Sequence, residues 1–258
     1  MAPLRRELST NSALPFLKPN PLARLRLFCF PYAGAGATVF HKWYDKVPSF
    51  IELCSVQLPG RETWMSADPF TRLQPLIEAI AREILPYLDK PFVFFGHSMG
   101  ALLSFELARH LRSERGLSPD YLFVSGRRAP HIVDAISDIH SLPDTQFLEK
   151  LRDLSRTHNG SREREELARL FLPIIRADIG ICETYVYTSE PPLICPVLAF
   201  GGLDDDIATE ALLAWREHTV AEFRLQMLPG EHFFIHSAES LFLRILLREC
   251  DRITRVSS

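Results

Sequence analysis

The chain has 258 residues, 47% hydrophobic and 24% charged, which is the balance of a soluble globular protein with length for one large α/β core. Its net charge of −3, from 29 basic and 32 acidic side chains with no long Lys/Arg run, argues against a polyanion-binding surface and so against a nucleic-acid role. Five scattered cysteines without CxxC spacing argue against a disulfide framework or a zinc site and fit a reducing compartment.

Residues 1–22 carry an arginine pair but no apolar core of the roughly 7–15 residues that a signal peptide needs. They read as a flexible arm, with one domain over 23–258 that no Gly/Ser linker divides. No stretch approaches the roughly 20 apolar residues of a membrane helix, so a cytoplasmic protein away from membranes is expected. "LRLFCF" (Leu25–Phe30), closed by Pro31, reads as a strand leading into the Gly-rich turn "PYAGAGA". "IELCSVQL" (Ile51–Leu58) is a second strand, ended by "PGR". Residues 72–88 place Leu73, Leu76, Ile77, Ile80, Ile84, Leu85 and Leu88 at helical spacing. "PFVFF" (Pro91–Phe95) is short and continuously apolar, as a strand buried on both faces should be. A helix over 99–113 and a strand "YLFVSG" (Tyr121–Gly126) follow.

From Arg127 to about Pro192 the alternation stops and helical patterns take over. The clearest is Arg164–Tyr187, with Leu167, Leu170, Phe171, Ile174, Ile175, Ile179, Cys182 and Val186 marking one face and Pro173 expected to bend or break it. Alternation resumes with strand Pro196–Gly202, helix Thr209–Glu217, strand Glu222–Leu228 and a last helix from about Ala238 to Ile253. This predicts an α/β fold with a mostly parallel sheet and a helical insertion at about 127–192.

The chemistry concentrates in "FFGHSMGA" (Phe94–Ala101). A serine between two glycines, after a buried strand and before a helix, fits the G-x-S-x-G turn, which strains the serine and lifts its hydroxyl clear of the sheet. Side chains at Gly96 and Gly100 would collide with the neighbouring strand and helix. Ser98 is therefore the candidate nucleophile, and the Met99 N–H at the helix start faces a developing oxyanion. A serine hydroxyl needs a base, and in this kind of sheet an acid and then a histidine should follow it in the chain. His232, in "LPGEHFF" between the last strand and the last helix, is the candidate base. His97 flanks the serine, but an adjacent side chain points away from it; with Tyr32 it is assigned to the substrate-binding surround. His236 lies four residues after His232, but no HExxH completes a metal site. "GGLDDDIA" offers Asp204, Asp205 and Asp206; Asp204 is chosen as the first after the strand end, and Asp206 fits a helix cap. The second oxyanion donor is expected from "FPYAGAG" (Phe30–Gly36), with Ala33 N–H first and Tyr32 next. The phosphate-loop signatures GxGxxG and GK[ST] are absent.

The ordered set "FCFPYAGAG", "QLPGRE", "FFGHSMGA", "LPIIRADI" with "CETY", "AWREHT" and "LPGEHFF" closely resembles the type II (external, editing) thioesterases of polyketide and nonribosomal peptide synthesis. It also resembles their relative, the medium-chain acyl thioesterase of fatty-acid synthesis. Over about residues 25–250, the resemblance implies an α/β-hydrolase fold with the insertion as a lid. It implies Ser98, Asp204 and His232 as a triad, with Ala33 and Met99 as oxyanion donors. Tyr32 stands where many relatives have histidine, and the triple aspartate blurs the acid. The implied activity is hydrolysis of acyl groups from the phosphopantetheine thiol of carrier proteins, without metal or organic cofactor. The partner is an acyl-loaded carrier protein, and the enzyme is expected to be a monomer. Carrier proteins are acidic, so Arg61, Arg127 and Arg128 are docking candidates, and Trp64 and Met65 candidates for the mouth. A carboxylesterase or lipase, an acyltransferase and a non-catalytic binding module are the competing readings.

Overall fold

Apolar residues that alternate by twos within a continuous apolar run serve a sheet covered on both faces. The computed structural model describes residues 13–132, 138–155 and 162–256. In it six strands pair: β1 (Leu25–Phe30), β2 (Ile51–Ser55), β3 (Phe92–His97), β4 (Tyr121–Ser125), β5 (Val197–Gly202) and β6 (Phe223–Leu228), all but β6 fully buried. All five pairings are parallel, in the order β2-β1-β3-β4-β5-β6. Parallel neighbours need long crossovers. These carry α1 (Leu73–Ile84), α2 (Met99–Arg115), α3 (Asp144–Ser155), α4 (Arg162–Glu183) and α5 (Thr209–Leu213), and α6 (Phe234–Ser237) and α7 (Glu239–Val256) close the chain.

The two sheet faces read directly from the alternation. Phe28 and Phe30 of β1 and Phe92 and Phe94 of β3 pack toward the apolar faces of α1 and α2. Leu25, Leu27, Cys29, Val93 and Phe95 point the other way. There Phe242 of α7 meets Trp43, Phe95 and Phe200 at ring centroids of 5.6, 5.2 and 5.1 Å, contacts worth about 0.5–1.5 kcal/mol each beyond their buried area. Arg26 is buried in β1, where its charge is paired: it lies opposite Glu52 in register and bonds Glu52 and Asp89. All five cysteines are free, and burial pushes the Cys29, Cys54 and Cys250 thiols up.

Three expectations change. The arm expected over 1–22 lies outside the described residues up to residue 12. From residue 13 it packs on the sheet: Leu14 is buried, Gln57 N–H donates to the Ala13 carbonyl at 2.8 Å, and Asn20 N–H to Glu52 at 2.7 Å. Pro173 does not interrupt α4. The buried face of α4 is also rotated from the one expected: Leu172, Ile174, Ala177, Asp178 and Ile181 are buried, whereas Phe171 is exposed. The covered side includes a charged residue, Asp178. No helix among the described residues is long and apolar enough to cross a membrane.

β1 and β3 are adjacent, but their connections leave in opposite directions, toward β2 and β4. Their carboxyl ends are thus the switch point of the sheet, where open α/β folds leave a crevice. Here α2 lies so close to β1 that a Cβ on Gly100 would overlap the Phe30 carbonyl oxygen, and one on Gly96 the Gly100 carbonyl. Gly100→Ala is expected to destabilise the fold by at least about 1–3 kcal/mol, the usual cost of overpacking, seen as a lower urea midpoint with an unchanged slope.

Candidate active site

The bend between β3 and α2 stands at that switch point. Ser98 has φ 54° and ψ −115°, a left-handed conformation that costs a non-glycine about 1–3 kcal/mol. The surroundings hold it there. Ser98 N–H donates to the Ser125 carbonyl at the end of β4 at 2.7 Å, and its own carbonyl accepts the Ala101 N–H at 3.0 Å. Its side chain is half-buried. Met99 opens α2, so its N–H has no acceptor within the helix and stands at the positive end of the dipole.

The histidine loop and the aspartate loop are stitched together by backbone. The β5–β6 ladder continues past the strands as Leu203 N–H to the Leu228 carbonyl (2.8 Å) and Asp204 N–H to the Gly230 carbonyl (3.0 Å). A turn closed by Asp205 N–H on the Gly202 carbonyl (3.4 Å) follows. That turn decides the acid. Asp204 is still part of the ladder and its side chain is exposed. Asp205 is turned inward, its side chain 7% exposed, with Oδ2 3.0 Å from His232 Nδ1. The expectation for Asp204 is thereby corrected: the carboxylate on His232 is that of Asp205. An imidazole that gives its Nδ1–H to a carboxylate keeps Nε2 as its basic nitrogen.

His97 lies behind the site. It is fully buried, with Nδ1 2.9 Å from Ser125 Oγ and its ring 5.2 Å from that of His232 and 5.5 Å from Phe234. Burial, then the nearby His232 and His236, hold its pKa well below the usual histidine range. A neutral ring buried on that side supports the His232 ring and does not line a substrate surface. This corrects the substrate-binding assignment of His97. Tyr32 is half-buried. Its ring lies 5.9 Å from His97 and 5.0 Å from Phe233, and its hydroxyl is 3.1 Å from His236 Nε2. It therefore ties the loop after β1, which carries Ala33, to the histidine loop.

Arg61 is not a docking residue. It is 3% exposed and grips Asp178 of α4 through both terminal nitrogens, at 2.5 and 2.8 Å. Asp178 sits in "LPIIRADI", where the only sequence signal was an acid on the apolar face of a helix. Arg127 is half-buried against Cys182 Sγ at 3.6 Å, and Arg128 is also half-buried. Met65 is 69% exposed. Among the described residues one grouping has metal-ligand character, Asp138, His140 and Glu183 on the insertion. Glu183 there accepts the N–H groups of Ile139 and His140 and meets His140 Nδ1.

The geometry offers a strained serine at a helix start, and an imidazole with a carboxylate on its Nδ1. These are the parts of acyl transfer. Comparison with known proteins points the same way. The thioesterase domain family matches residues 25–253. The gramicidin S biosynthesis protein GrsT of Aneurinibacillus migulanus is 46% identical over 231 residues, covering 89% of this chain and 90% of that protein. The RedJ thioesterase of the prodiginine pathway in Streptomyces coelicolor superposes with a TM-score of 0.80 at 38% identity, over 86% of this chain and 85% of RedJ. The type II thioesterase BorB of the borrelidin biosynthetic cluster superposes with a TM-score of 0.81 at 35% identity, over 88% of this chain and 93% of BorB.

The Asp205 contact generates a direct prediction. Asp205→Asn is expected to lower kcat on the order of 10⁴-fold by fixing the wrong tautomer. Asp204→Asn and Asp206→Asn should stay near wild type. Steady-state hydrolysis of a p-nitrophenyl ester by the three single variants measures this.

Proposed function

The chain belongs to the thioesterase family, and we propose that it serves as a type II thioesterase that hydrolyses acyl groups from the phosphopantetheine thiol of carrier proteins. Similarity to proteins of gramicidin S, prodiginine and borrelidin biosynthesis supports an editing or release role in polyketide or nonribosomal peptide synthesis. The observation that supports the reaction is His232 held on Asp205 at 3.0 Å, in a chain whose strained Ser98 opens α2.

In this reading Ser98 Oγ attacks the thioester carbonyl carbon while His232 Nε2 takes its proton. Asp205 stabilises the imidazolium and keeps the ring oriented. The Ala33 and Met99 N–H groups receive the oxyanion, and one such donor is worth about 10²–10³ in kcat. Collapse breaks the C–S bond, and the imidazolium returns its proton to the leaving thiolate. Water, deprotonated by His232, then attacks the acyl-serine, releasing the free acid and restoring Ser98. The balance is thioester plus water to acid plus thiol, and the chain's own residues supply every proton transfer.

The insertion serves as the lid, with α4 lying over the oxyanion loop. Phe233, exposed beside His232, lines the acyl entrance with Tyr32. Arg127 and Arg128, following β4 at the same sheet edge, face an incoming acidic carrier.

Intact-mass analysis of acyl-loaded carrier proteins tests the reading. The acyl mass should disappear while phosphopantetheine stays, and Ser98→Ala should slow this on the order of 10⁶-fold. A carrier-acyl rate no better than that on simple esters would point to an esterase. Ester or amide products in place of free acid would point to a transferase.

A further inference from the structure

Two of the sequence motifs, "QLPGRE" and "RADI", supply no group to the reaction as proposed. The structure gathers both around the loop that carries Ala33. That loop is a tight turn in which Ala35 N–H donates to the Tyr32 carbonyl at 3.1 Å. The Tyr32 carbonyl and the Ala33 N–H belong to one peptide plane and point in opposite directions across it. Whatever holds the turn therefore aims the Ala33 N–H.

Three side chains from "QLPGRE" and one from α4 do the holding. Gln57 Oε1 accepts the Ala37 N–H at 3.0 Å, and Glu62 accepts from the Thr38 N–H at 3.2 Å and from the Thr38 hydroxyl. Glu62 itself stands at φ 48°, one of two left-handed non-glycine residues among those described; the other is Ser98. Arg61 Nη1 donates to the Ala35 carbonyl at 3.1 Å. Asp178 Oδ2 accepts the Gly34 N–H at 2.7 Å. Three residues earlier on α4, Ile175 lies where a Cβ on Gly34 would sit, and Gly34 has φ 79°. The helix thus rests directly on the turn.

We infer that Arg61 and Asp178 are positioning residues for the oxyanion loop: the Asp178 carboxylate, oriented by Arg61, holds the Gly34 N–H and so directs the neighbouring Ala33 amide. The inference rests on the proposed role of Ala33. It explains why a buried ion pair spans a sequence separation of 117 residues at 4% and 1% side-chain exposure. Such a pair is weak evidence for stability, since apolar replacements often serve as well. Its use here is geometric. Because Asp178 is on α4, the hold on the Gly34 N–H lasts only while that helix of the insertion is seated.

Removing one partner alone would leave a buried charge unpaired, so the test compares two double variants. Arg61→Met with Asp178→Leu removes both charges and the acceptor for Gly34. Arg61→Met with Asp178→Asn removes both charges but keeps an amide oxygen for Gly34. The first is expected to lower kcat on an acyl thioester about 10- to 100-fold, the scale of a small misplacement in a preorganised site, with KM near wild type. The second should recover a measurable part of that loss. Equal kcat for the two folded variants, or a first variant with wild-type kcat, overturns the inference. A readout on the unaltered protein stands beside this: the Gly34 amide should exchange slowly with D₂O in amide-resolved NMR, and fast exchange overturns the inference even if neither variant folds. Ser98→Ala is run in parallel. If it keeps turnover, the proposed function fails; if it loses turnover while the first variant does not, only the positioning role fails.

Discussion

The site depends on three stretches of backbone meeting without side chains between them. The Phe30 carbonyl ends β1 against Gly100, and Gly96, one residue before the end of β3, lies against the Gly100 carbonyl. Only hydrogen at those α-carbons allows that approach. It places the start of α2 beside the loop leaving β1, so that a helix N-terminus and a Gly-rich turn converge on one point. Ser98 is then forced to φ 54°. The strain persists because the Ser125 carbonyl and the first turn of α2 over-determine the position.

Around that contact the protein separates neutral from charged neighbours. Burial keeps His97 neutral behind His232, and Asp205 is the carboxylate on the His232 ring. Tyr32, whose hydroxyl pKa burial raises, packs across the same rings. The charged pair Arg61–Asp178 bonds the loop after β1, deeply buried and fully engaged. The acid on His232 and the acid on the Gly34 N–H belong to different elements, the turn after β5 and helix α4.

Local signals were legible wherever a few consecutive residues carry the physics. The β1 range Leu25–Phe30 and the α2 start at Met99 agree with the sequence reading, because an apolar run closed by proline and a glycine-flanked serine constrain their own backbone. The buried side of α4 carries Asp178, whereas hydrophobic periodicity treats every acid as solvent-facing. Arg61 was placed at the surface for the same reason, since its partner lies 117 residues away.

By itself the sequence determined an α/β order of elements, a strained serine between a strand and a helix, and a histidine on the last loop, because each is written in contiguous residues. Tertiary structure alone decided which of three successive aspartates turns toward His232. That choice follows from where the β5–β6 ladder stops, at the Asp204 N–H on the Gly230 carbonyl. It also decided that an arginine and an aspartate from distant segments share one buried cradle. A side chain's direction changes with each residue along an extended chain, and a buried charge finds its counter-charge through space, so neither outcome is encoded within any short window of sequence.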